Sequence, residues 1–164
     1  MEGYDTPHYS NIAYPWDGRE EIRPGQIPTR FNPVANYVTW FDVPENWRDQ
    51  PVCLSLQGAE SAAAVWCNGH YVGYAEDSFT PSEFDLTPFL QETDNKLAVQ
   101  VFKWCAGSWM EDQDFFRFSG LFRDVWLYTK PKVHVEDLRV RTRLTQSGAC
   151  VEVMAETSGC GKAV

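Results

Sequence analysis

At 164 residues the chain has room for one full domain and little more. A net charge of −9 with no basic stripe excludes a nucleic-acid binder, and no apolar run approaches the ~18–20 residues of a membrane span. Aromatic content is high at 15%, which sets the chain apart more than its ordinary apolar fraction does.

Residues 1–33 hold Pro7, Pro15, Pro24, Pro28 and Pro33 and show little apolar alternation. This composition predicts an extended arm over a sheet and no helix. Tyr4, Tyr9, Tyr14, Trp16 and Phe31 are its expected anchors, each needing a surface to bury against. The N-terminus, MEGYDTPHYSN, carries neither the basic nor the apolar region of a signal peptide. Cys53, Cys67, Cys105, Cys150 and Cys160 include no C-x-x-C pair, and His8, His70 and His134 stand apart from them. No zinc pattern follows, and reduced thiols packed as small hydrophobes fit a cytoplasmic protein.

From Ala35 the period becomes two. Tyr37, Thr39, Phe41 and Val43 share one strand face, with Val38 and Trp40 on the other. Val52, Leu54 and Leu56 alternate with Cys53, Ser55 and Gln57. The run AAVWC then meets Asn68-Gly69, a two-residue hairpin signal, with YVGY as the return strand. Asp85 is placed to cap a short helical turn over residues 86–90 through the Thr87 N–H, because Pro88 has none to offer. Leu97, Val99 and Val101 alternate with Lys96, Ala98 and Gln100. No amphipathic helix of ten residues or more is present, so short strands divided by turn residues predict an all-β, antiparallel two-sheet sandwich.

The densest chemistry lies in residues 104–128, WCAGSWMEDQDFFRFSGLFRDVWLY. Glu111, Asp112 and Asp114 sit there among Trp104, Trp109, Phe115, Phe116, Phe118, Phe122 and Trp126. Ser119-Gly120 marks a tight turn, after which Val125 and Leu127 face inward with Trp126 and Tyr128 opposite. Two readings stand. Either the acids are solvated on a surface loop, or carboxylates beside aromatic faces meet the hydroxyl rim and apolar face of a sugar. Arg117 and Arg123 are the candidate neutralising partners, with Arg123 beside Asp124. Asp112 and Asp114 would share one side if that segment were extended.

Pro131 marks a boundary. Beyond it Val133 and Val135, then Leu138, Val140 and Leu144, alternate with His134, Arg139, Arg141 and Arg143. Val151, Val153 and Ala155 then oppose Glu152, Met154 and Glu156. An immunoglobulin-like sandwich needs ~100 residues, so these strands read as one hairpin of a truncated second domain. The expected division is an arm over 1–33, a sandwich over 34–130 and the first strands of a second β-domain over 131–164.

EDQDFFRFSGLFRDVWL resembles the segment of glycoside hydrolase family 2 β-galactosidases in which an acidic loop leads through SG-[IL]-FRDV into a strand. WCNGHYVGYAEDSFTPSEFDLTPFL (66–90), NKLAVQVFKW (95–104) and YSNIAYPW (9–16) are similar to the same family's N-terminal sugar-binding domain. The likeness covers residues 3–130. The acidic loop and the opening YxNxxYPW favour a β-galactosidase over a β-glucuronidase or β-mannosidase.

The resemblance implies a jelly roll that belongs to a larger retaining hydrolase of terminal β-galactosides. Its acid/base and nucleophile would be glutamates on a barrel beyond Val164, so the isolated chain is not expected to turn over substrate. It also implies that Tyr9, Asn11 and Ile12 reach the active site and that Asn11 hydrogen-bonds substrate. Asp114 matches the aspartate that faces the galactosyl unit and a sodium ion, while magnesium sites would lie outside this chain. The remaining domains of the parent, a β-galactoside and a homo-oligomeric parent are the expected partners. A free-standing carbohydrate-binding module and a β-glucuronidase fragment are the alternatives.

Overall fold

Side-chain alternation sorts the chain into strands that hide one face each. The computed structural model describes Asp5 and residues 7–158; the proposed anchor Tyr4 and the thiol of Cys160 lie outside the described residues. In chain order the strands are β1 (His8–Ser10), β2 (Val34–Phe41), β3 (Val52–Leu56), β4 (Ala59–Glu60), β5 (Ala62–Cys67), β6 (His70–Glu76) and β7 (Ser82–Asp85). There follow β8 (Asn95–Phe102), one helical turn α1 (Ser108–Glu111), β9 (Phe115–Arg117), β10 (Gly120–Leu121), β11 (Val125–Thr129), β12 (His134–Thr145) and β13 (Gly148–Ser158).

A four-stranded antiparallel sheet, β2-β8-β5-β6, faces a three-stranded one, β11-β3-β7. Between them lie Leu54 and Leu56 of β3, Val65 and Cys67 of β5, Leu97, Val99 and Val101 of β8, and Phe84 and Leu86. Each such aliphatic burial is worth about 1.5–3 kcal/mol. The fold is therefore the all-β antiparallel sandwich that the alternation predicts.

Local turn chemistry follows the sequence closely. Cys67 pairs with His70 across Asn68 and Gly69, whose φ values of 51° and 81° are those a type I′ hairpin requires. The Asp85 carboxylate accepts the Thr87 N–H at 2.9 Å, opening a 3₁₀ turn over Thr87–Phe89.

Edge positions depart from expectation. Val125 is 40% exposed while Leu127, on the same face of the edge strand β11, packs on the core. In the arm, Trp16 is buried and Tyr14 half-buried, but Tyr9 and Phe31 are largely exposed. At Phe31 the anchor is the backbone: its carbonyl accepts the Trp104 indole N–H at 2.9 Å, and the ring lies outside. Trp16 instead meets Tyr14, Trp104 and Trp109 with ring centroids 4.8–5.7 Å apart.

β12 and β13 form a long hairpin that pairs with itself. The apolar alternation slips phase between Val135 and Leu138, and a bulge between Val135 and Asp137 absorbs that slip. Leu138, Val140, Val151 and Val153 end on one face of the hairpin, and all four are exposed.

Candidate functional site

The acidic stretch is held by the arm. β1 pairs antiparallel with β9, setting His8 opposite Arg117, Tyr9 opposite Phe116 and Ser10 opposite Phe115. Tyr9 leans on Phe116 with ring centroids 4.7 Å apart. The Asp114 N–H donates to the Asn11 carbonyl at 3.0 Å, and the Tyr9 hydroxyl donates to Asp114 Oδ1 at 2.6 Å. That bond to a carboxylate raises the Tyr9 phenol above its ordinary pKa. Ile12 follows in the chain and is 92% exposed. Tyr9, Asn11 and Asp114 are thus brought together, with Ile12 beside Asn11 in the chain. All four side chains are solvent-facing.

The three acids have three different environments. Asp112 ends α1, and Asp114 takes a left-handed backbone with φ 53°, so the segment is not extended and the two carboxylates do not share a side. Glu111 turns to Ser78, accepting its hydroxyl at 2.6 Å and its N–H at 3.2 Å. Asp112 is 2% exposed, which corrects the picture of a uniformly solvated loop. Its Oδ1 accepts Arg117 Nε at 2.6 Å. Burial pushes the Asp112 carboxyl pKa up, and the Arg117 guanidinium opposes that push.

Arg117, also 2% exposed, touches a second acid. Its Nη1 lies 3.6 Å from Glu60 Oε1 and donates to the Lys103 carbonyl at 3.3 Å, while the guanidinium stacks 4.9 Å from the Trp104 ring centroid. Glu60 is fully buried and its Oε2 accepts the N–H groups of Phe118 and Ser119 at 2.6 and 2.9 Å. Arg123 does not play the part expected of it, since its Nη1 donates to the Phe79 and Gln57 carbonyls at 2.8 and 3.4 Å. It lies in a loop where those carbonyls, and not the Asp124 carboxylate, meet its fork. Glu60 escaped sequence reasoning. The available signal was its isolation, as the lone acid in the otherwise uncharged run CLSLQGAESAAAVWC.

Among the described residues no three His, Cys, Asp or Glu side chains converge as a metal site. What the surface offers is one carboxylate, one phenol and exposed apolar faces at Ile12 and Phe116. That combination can orient a hydroxylated ligand. It supplies no opposed carboxyl pair, since Asp112 and Glu111 are committed to Arg117 and Ser78.

Comparison with known proteins agrees with this description. A β-galactosidase of Priestia megaterium is 55% identical over 144 residues, covering 88% of this chain and 14% of that protein. One of Clostridium acetobutylicum is 48% identical over 161 residues, covering 98% of this chain and 18% of that protein. The chain thus spans less than a fifth of the length of these relatives. Among solved structures, a Bacteroides uniformis β-glucuronidase superposes with a TM-score of 0.69 at 28% identity, covering 77% of this chain and 16% of that one. With the family model for the sugar binding domain of family 2 glycosyl hydrolases matching residues 1–131, the chain belongs to that family.

Proposed function

We propose that this chain is the N-terminal sugar-binding part of a β-galactosidase and that it contributes one wall of a substrate pocket. The observation that carries the reading is the β1–β9 pairing, which sets Asp114 beside Tyr9 and Asn11 on an exposed edge. In the intact enzyme the reaction is retaining hydrolysis of terminal β-galactosides, with both catalytic carboxyls supplied by a barrel outside these residues. Asp114 accepts hydroxyl hydrogen bonds from the galactosyl unit, Asn11 adds a polar partner, and Tyr9 and Ile12 bound the sugar's apolar side.

Asp114 also fits a sodium ion, because a carboxylate is a hard oxygen donor for a hard cation. A single carboxylate is one ligand only, so the remaining ligands come from the parent's other domains. Bound sodium would supply positive charge beside the sugar hydroxyls. On this reading the parent is a cytoplasmic homo-oligomer. A β-glucuronidase is the second reading, supported by the names of the structural neighbours. Sequence identities of 48–55% to β-galactosidases, against 28% to the B. uniformis β-glucuronidase, favour the first.

The test replaces the matching segment of the P. megaterium β-galactosidase with this chain and then introduces Asp114→Asn. The graft is expected to hydrolyse a chromogenic galactoside. Asn keeps an oxygen acceptor but loses the charge, so kcat/KM is expected to fall by about one to two powers of ten, with weakened sodium dependence. A folded but inactive graft, or a mutant with unchanged kcat/KM and unchanged sodium dependence, overturns the reading.

A further inference from the structure

We propose that the buried Glu60–Arg117–Asp112 cluster is the positioning device for Asp114, fixing its carboxylate from both ends of the loop; this rests on the functional reading above. Asp112 lies two residues before Asp114 and Arg117 three residues after it. Both close on the same buried point through the 2.6 Å Nε–Oδ1 bond. The exposed acid is therefore the apex of a loop whose two feet are clamped together. Glu60 extends the clamp, reaching Arg117 with one oxygen and holding the Phe118 and Ser119 N–H groups with the other.

The composition of the cluster is hard to justify by stability. One guanidinium faces two carboxylates with all three side chains at most 2% exposed, and among the described residues Glu60 Oε1 and Asp112 Oδ2 accept no hydrogen bond. Well-packed apolar residues in such a place are often as stabilising as a buried ion cluster. What apolar residues do not supply is direction. Arg117 offers a planar fork with fixed bond angles, and it meets Asp112, Glu60 and the Lys103 carbonyl at once while lying on Trp104. Asp114 itself sits at φ 53°, a conformation that persists where the surroundings over-determine it. The clamp below and the Tyr9 and Asn11 bonds above provide that over-determination. None of the three clamp residues touches the ligand; each acts through Asp114.

A double-mutant cycle in the grafted P. megaterium enzyme tests this. Arg117→Lys keeps the charge and loses the fork, and is expected to lower kcat/KM at least about tenfold while Asp114 is present. In the Asp114→Asn background the same substitution is expected to change kcat/KM by no more than about twofold, because there is no carboxylate left to aim. A purely structural role moves the melting temperature equally in both backgrounds and leaves the two kinetic penalties to multiply; that result overturns the inference. Asp112→Asn, which conserves every heavy-atom position, runs the same cycle if Arg117→Lys does not fold. Should Asp114→Asn alone leave kcat/KM unchanged, the functional reading falls and this inference with it. Multiplying penalties beside a damaging Asp114→Asn remove this inference alone.

Discussion

Asp77 shows how one side chain can store acid sensitivity at a turn. Its Oδ1 accepts the Phe79 and Thr80 N–H groups, each at 2.9 Å, and its other oxygen takes the Thr80 hydroxyl. The hydroxyl first, then the two backbone donors, hold its carboxyl pKa below the ordinary value. A folded pKa depressed in this way gives stability above the unfolded pKa of about 3.9, lost as pH falls through the lower folded value. Asp77→Ala is expected to cost about 1 kcal/mol at pH 7. Thermal melts at pH 7 and below pH 4 check this, since the gap from the parent chain should shrink in acid; a constant gap contradicts it. Gly120 carries a different constraint. At φ 71° a Cβ would meet the Tyr37 hydroxyl oxygen at 2.5 Å. Gly120→Ala is expected to cost about 1–3 kcal/mol. Tyr37→Phe should recover only part of it in a denaturant titration, because removing the hydroxyl leaves the backbone strain in place. Gly120 was legible beforehand as half of a Ser-Gly turn. Glu60 was not, because the partner that makes burying it tolerable, Arg117, lies far along the chain.

At the scale of elements, legibility followed period. Strands β3, β5 and β8 and the Asn68-Gly69 hairpin could be read from alternation and turn chemistry, since both are local properties. The single turn α1 is too short to show a helical period, and it decides that Asp112 points inward while Asp114 points out. The arm was legible as extended, but its pairing with the acidic loop was not, since strands so far apart in the chain leave no local signal. The family resemblance implied only that both segments reach the active site. The β12–β13 hairpin raises a question of anchoring. Its apolar residues Leu138, Val140, Val151 and Val153 are each at least half exposed, and neither strand pairs with the sandwich sheets. Two such strands with unpaired edges are expected either to fray or to associate with another copy. Amide exchange over residues 133–155, with sedimentation across a concentration series, checks this. Uniform protection in a demonstrated monomer contradicts it.

Across the whole molecule, the sandwich is a framework and the candidate site is an attachment at its margin. The core between the two sheets is made by β3, β5, β7 and β8, all within residues 52–102. The site joins Tyr9 to Asp114, 105 residues apart, through a two-stranded sheet three residue pairs long. Closing so wide a loop costs entropy that grows with its length, and few bonds are gained in return. Non-local contacts of that kind form late in folding and reopen early. The Tyr9 and Phe116 amides are therefore expected to exchange hydrogen well before those of Leu54, Val65 and Val99, which native-state exchange would resolve; equal protection contradicts the expectation. During synthesis, too, residues 8–10 leave the ribosome long before their partners and wait, unpaired, for residues 115–117. The surface proposed to grip the sugar therefore closes only after the core strands between residues 52 and 102 have been made.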